Sequence, residues 1–222
     1  MYIHLILFYI MWGIECLLLI PFIIHFGRLD KSSKWIFYFL ISSIVFAGGS
    51  KLIAQIWGNN LWFYNTMYFL AFVILSLYFH AVIKYKAVRA IILGMIFPVL
   101  AFVILDYVKL EGPNIFNSYA TSLETFILMV YCAIFFYQLL RDDELVKQSV
   151  FINSLPDFWY NSGIFVYHCG YFLFSLAYSL MNFGYQGVKG STRLTLAVTF
   201  VAGIIQLVLL YIGLTKVKKV RS

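Results

Sequence analysis

Charge is what this chain has least of. Only 11% of its 222 residues are Asp, Glu, Lys or Arg, and 63% are hydrophobic, whereas soluble domains carry about 25% charged residues. A solvated globular domain is excluded. The formal net charge of +7 does not make a nucleic-acid binder, because the basic residues lie in short loops between apolar runs and no soluble fold presents them as one face. Cysteine is scarce as well. Cys16, Cys132 and Cys169 fall inside apolar runs at unrelated spacings, so neither a disulfide framework nor a zinc site is expected. Also missing are His-Glu-x-x-His, Gly-x-Ser-x-Gly, paired aspartates within the apolar runs and any Cys/His metal spacing. The expectation is a protein that is not an enzyme and carries no cofactor. The N-terminus lacks a basic n-region and a small-residue cleavage site, so its first apolar run reads as a retained helix. No linker, repeat or low-complexity stretch marks a second domain.

Long apolar runs and aromatic rings are what the chain has in abundance, with 23 Phe and 17 Tyr. A membrane-spanning helix needs about 20 predominantly apolar residues. Seven runs meet that length: residues 2–26, 35–57, 61–83, 90–108, 122–140, 158–183 and 194–215. The expected fold is all-α, a single polytopic seven-helix domain within a lipid bilayer. Gly58-Asn59-Asn60 reads as a tight turn, and Pro98 as a kink inside helix four. Arg28, Lys31, Lys34, Lys84, Lys86, Arg89, Arg141, Lys147, Lys216, Lys218, Lys219 and Arg221 fall on one side of the membrane, and Lys109, Lys189 and Arg193 on the other. This bias predicts the N-terminus outside and the C-terminus in the cytoplasm, in a multi-pass protein of a bacterial inner (cytoplasmic) membrane.

Ionisable groups within spanning helices are costly and face the bundle interior or water, so each is a candidate for function. Glu15 and His168 lie near the middle of helices one and six, where they are placed to meet. Lys51, Asn65 and Glu124 lie in the outer half, each roughly 7–11 Å from its helix centre at the helical rise per residue. The depths suggest a Lys51–Glu124 ion pair, with Asn65 filling remaining hydrogen bonds. Such a pair serves either to fix helix register or to bind a ligand, and Lys51 has the further option of snorkelling to the surface. Glu15 reads as a proton or chemical site, or as a hydrogen-bonded structural residue; His168 reads as a core histidine or a ligand contact. His25 and His80, both near cytoplasmic helix ends, have no spacing motif to make them a haem or metal pair. Helix seven has no lysine before Lys216, and no acid, histidine or asparagine, which excludes a mid-membrane retinal Schiff base and reads as packing. Tyr64, Tyr68, Tyr119, Tyr131, Tyr167 and Tyr171 suit a small-molecule pocket. Tyr64 and Tyr119 suit an interfacial belt equally well.

The densest stretch of polar and aromatic residues opens helix six. Pro156 suits a first helical turn, and Asp157 the positive end of the helix dipole. Asn161, Ser162 and Gly163 follow, small and polar, fit for close helix contact or for a cytoplasmic partner.

Three stretches carry a resemblance: Asn59-Asn60-Leu61-Trp62-Phe63-Tyr64-Asn65, then Ser122-Leu123-Glu124, then Pro156-Asp157-Phe158-Trp159-Tyr160-Asn161-Ser162-Gly163. Together they resemble a poorly characterised bacterial seven-helix membrane family. Its members look like stand-alone proteins or like sensor modules placed ahead of histidine kinases. The resemblance implies a sensory module in which Asn65, Glu124, Phe158, Trp159, Asn161, Ser162 and Gly163 are the matching positions. This chain departs from the kinase-linked members in ending on a short basic tail, so a separate membrane or cytoplasmic protein partner is expected.

The resulting expectation is a sensor or signalling subunit that binds a small molecule or a neighbouring protein through the outer polar cluster. It would relay its state through residues 141–157, where Asp142, Asp143 and Glu144 mix with Leu145, Val146, Val150 and Phe151. The alternatives are a small proton-coupled transporter with Glu15 as proton site, for which Gly48-Gly49 is the candidate helix break, and a structural subunit of a membrane complex.

Overall fold

A computed structural model of the chain describes residues 3–113, 115–141, 151–182 and 189–220. Seven helices long and apolar enough to cross a membrane make up nearly all of it, and there is no strand among the described residues. They are α1 Ile3–Ile24, α2 Lys31–Trp57, α3 Leu61–Val82, α4 Lys86–Leu105, α5 Ser118–Leu140, α6 Pro156–Asn182 and α7 Lys189–Val220. The chain is a multi-pass membrane protein. Asp142, Asp143, Glu144, Leu145, Val146 and Val150, and the glycine-rich loop before α7, lie outside the described residues.

Six helices close into a ring in chain order, α1–α2–α3–α5–α6–α7 and back to α1; α4 stands outside it, against α3 and α5. Only Ile92 and Val99 of α4 are buried. Val88, Met95, Ile96 and Val103 pack partly against the core, and the remaining large apolar side chains, such as Phe97 at 75% exposure, face the lipid. Pro98 does not interrupt this helix, and α4 runs on into a π-helical turn, Asp106–Leu110.

Local chemistry sets the helix ends. Asp30, in extended conformation, caps α2 by accepting from the Ser33 amide at 3.0 Å, which places the start of α2 at Lys31, earlier than residue 35. Gly58 ends α2 with φ of 72°, a left-handed conformation that favours glycine. Asn60 Nδ2 then donates back to the Ser50 carbonyl at 3.0 Å and to its hydroxyl at 2.6 Å, fixing the expected turn. The first turn of α5 is held by two acids. Asp106 accepts from the Ala120 amide at 2.9 Å, and Glu111 from the Ser118 hydroxyl at 2.5 Å. That capping draws the start of α5 back to Ser118. At the opposite end of α5, Gln138 accepts from the Lys84 amide at 2.6 Å and donates to the Val82 carbonyl at 3.2 Å, closing the C-terminus of α3. α7 remains helical to Val220 through Lys216, Lys218 and Lys219, residues read from sequence as a tail; lysine is a good helix former, and nothing here opposes another turn.

Small residues seat α6 on α7. A Cβ on Gly163 would lie 3.1 Å from the Gln206 carbonyl, and one on Gly170 would lie 3.1 Å from Ala202 Cβ. From the other side, a Cβ on Gly213 would stand 2.5 Å from Tyr160 Cε1. Thr199 donates to the Gly170 carbonyl at 3.1 Å across the seam. Gly48-Gly49, the candidate helix break, is no break. α2 passes through it unbroken, and Gly49 makes room for the Phe63 ring, 2.8 Å from where a Cβ would sit.

Candidate functional site

The ring of six helices encloses a cavity of about 390 Å³, walled by residues of α1, α2, α3, α5, α6 and α7. It occupies the half of the bundle nearer the N-terminal end of α1. Phe8, Ser50, Lys51, Tyr64 and Leu196 line its shallow part, and Glu15, Phe39, Leu75, Leu128 and Gln206 its deep part.

Aromatic rings are prominent in the wall. Tyr68 of α3 stacks on Tyr171 of α6 with ring centroids 5.1 Å apart and planes 20° apart, and Tyr171 stacks in turn on Tyr167 at 5.8 Å and 15°. Tyr64 joins Tyr68 through their hydroxyls at 3.2 Å. Phe46, Phe72, Phe174 and Phe200 also line the cavity. Tyr64 therefore belongs to the cavity rather than to an interfacial belt. Tyr131 and Tyr119 do not line it; Tyr131 packs on Phe79 instead.

Into this apolar chamber the helices bring a small set of buried ionisable and amide groups, three of them legible in the sequence. Glu15 is 5% exposed and accepts from the Ser43 hydroxyl at 2.8 Å through Oε1, leaving Oε2 buried without a partner. Glu124 is also 5% exposed and makes no hydrogen bond among the described residues. His168 is 8% exposed, and neither ring nitrogen has a partner. Glu15 and His168 thus share one cavity without bonding to each other. The fourth group was missed: Gln206 of α7, buried, with its Nε2 unpartnered. α7 is not packing alone, since Leu196, Thr199, Phe200 and Gln206 all line the chamber. The signal was available in the spacing of Thr199, Gly203, Gln206 and Gly213, steps of 4, 3 and 7 residues that put them on one helix face.

The expected Lys51–Glu124 ion pair does not form. Lys51 is exposed, and its ammonium donates to the Tyr9 hydroxyl at 2.9 Å and sits 5.0 Å from that ring's centroid. Asn65 does not join the cluster either. It is buried beside the cavity and donates to Asn117 Oδ1 at 2.9 Å. Equal depth did not bring these groups together, because each points around its helix in a different direction.

Phe158, Trp159, Asn161, Ser162 and Gly163 lie at the far end of the bundle. Asn161 is fully buried and donates to the Cys132 carbonyl at 3.3 Å, tying α6 to α5. Ser162 turns back on the Phe158 carbonyl at 2.7 Å, and Trp159 donates to the Asn153 carbonyl at 2.8 Å. Beside them Tyr160 and Ser33 meet at 3.2 Å. His25 Nδ1 lies 2.8 Å from the Pro21 carbonyl. Among the described residues no group of three or more His, Cys, Asp or Glu side chains is gathered to hold a metal ion.

No protein-family model, curated protein or solved structure matches this chain.

Proposed function

We propose that this protein is a non-enzymatic membrane receptor subunit that binds a small amphipathic molecule in the six-helix cavity and signals through a separate protein partner. The observation that carries this reading is the composition of the chamber: an apolar, aromatic-walled volume of about 390 Å³ with a few convergent, unpartnered polar groups. Small-molecule sites are built this way, with stacked rings supplying contact area and isolated polar groups supplying orientation. Because six helices share the wall, an occupant bears on the packing of all six. That is what a sensor requires to transmit occupancy to the far end, where α5, α6 and α7 meet. The lysine and arginine bias favours an orientation with the cavity in the outer half of a bacterial inner membrane.

The test is ligand-dependent stability. Bound ligand raises the unfolding temperature by mass action, and Glu124→Gln removes that rise while leaving the unliganded protein folded. An unaltered response in Glu124→Gln counts against the reading.

One observation favours a proton-coupled carrier as a second reading. Glu15 sits on the cavity wall near the middle of its helix, hydrogen-bonded only through one oxygen. Uptake into proteoliposomes that is abolished by Glu15→Gln would select it over the receptor.

A further inference from the structure

We infer that the cavity takes an organic cation with a flat apolar body, its cationic head set between Glu124 and Glu15; this rests on the receptor reading above and names the ligand class for that site. The argument begins with the charges on the wall. Two carboxyl groups line the chamber, each on a residue 5% exposed, and one lysine. That lysine does not neutralise them, since Lys51 is exposed at the shallow part and held by Tyr9. Among the described residues no other lysine or arginine lines the chamber.

A carboxylate taken out of water is stable only with a counter-charge or donors around it. Glu15 has one donor, the Ser43 hydroxyl, and Glu124 has none among the described residues. An ammonium head supplies what the chain withholds. The stacked Tyr68, Tyr171 and Tyr167 rings add to the same preference, because aromatic faces attract cations electrostatically and their planes accept a flat apolar body. An anionic ligand would meet the opposite: two acids in the interior and a single lysine at the shallow part.

The experiment uses the full chain in lipid nanodiscs and three molecules that share one body and differ in the head: 4-phenylbutylamine, 4-phenylbutan-1-ol and 4-phenylbutyrate. Calorimetric binding is corrected for lipid partition with Ala47→Phe, which places a ring in the chamber. The expected order is amine at least tenfold tighter than alcohol, with the carboxylate weakest. Glu124→Gln is expected to bring the amine down to the level of the alcohol. If alcohol and amine bind alike in the wild type, the cation assignment is overturned while the receptor reading stands. If none of the three binds in a manner that Ala47→Phe removes, both are overturned. The wild-type order alone decides the ligand class, so a poorly folded Glu124→Gln does not leave it open.

Discussion

Lys51 donates to the Tyr9 hydroxyl at 2.9 Å and lies over the same ring at 5.0 Å. This contact between α2 and α1 satisfies the ammonium on its own helix pair and leaves Glu124, on α5, without a basic partner. The two residues should therefore behave independently. In a double-mutant cycle of Lys51→Met and Glu124→Gln, followed by reversible unfolding in detergent, the coupling is expected to stay within about 0.5 kcal/mol, as for sites that share no partner. A coupling above about 1 kcal/mol would restore the ion pair.

The α6–α7 seam is sensitive to volume at one position in particular. A Cβ at Gly213 meets the Tyr160 ring at 2.5 Å and the Pro156 carbonyl at 3.1 Å, so Gly213→Ala must move a fully buried ring. Overpacking of this kind costs about 1–3 kcal/mol. Gly94, on the lipid-facing α4, has nothing within 4 Å, and Gly94→Ala is expected to leave the unfolding temperature unchanged or raise it. Thermal unfolding of the two variants side by side checks the contrast.

Gln138 holds the end of α3 from α5 by two hydrogen bonds. Gln138→Leu keeps the bulk and removes both hydrogen bonds, to the Lys84 amide and the Val82 carbonyl, at a cost of about 1–3 kcal/mol. Hydrogen exchange should show the loss first in the amides from Val82 to Lys84, before the rest of the bundle opens.

The bias of lysine and arginine predicts which way round the bundle sits. In cells, with Cys16, Cys132 and Cys169 replaced, a cysteine at Pro113 is expected to react with a membrane-impermeant maleimide from outside. One at Tyr85 is expected to react only after the membrane is opened. The reverse pattern would invert the orientation and put the cavity in the inner half.

The seven helices were legible because a spanning segment announces itself by length and apolarity alone. Their caps were less so: Asp30 and Glu111 extended α2 and α5 by contacts from outside the apolar runs. Glu15, Glu124 and His168 stood out in the sequence as candidates for an electrostatic reason, since ionisable groups are seldom placed in lipid without a purpose, and all three line the chamber. Their mutual arrangement was not. Position along a helix follows from counting residues, but the direction a side chain points depends on which neighbours the helix meets. Hence Lys51 and Asn65, at the same depth as Glu124, went to Tyr9 and Asn117. Gln206 escaped notice because an uncharged amide in an apolar helix carries little signal, although the small residues sharing its face mark that face as the one packed inward. The Asn161–Gly163 stretch read equally well as helix contact or as a partner surface; burial of Asn161 and Gly163 assigns those two to the contacts of α6 with α5 and α7.

The central claim is that the chamber is a ligand site. Native mass spectrometry of the protein released from mild detergent tests it most directly, with the Ala47→Phe variant purified in parallel and shown to be folded by its unfolding temperature. The account predicts that the wild type carries a small molecule at near-unit stoichiometry and that the variant does not. Identical spectra, with no small molecule on either protein, would contradict it.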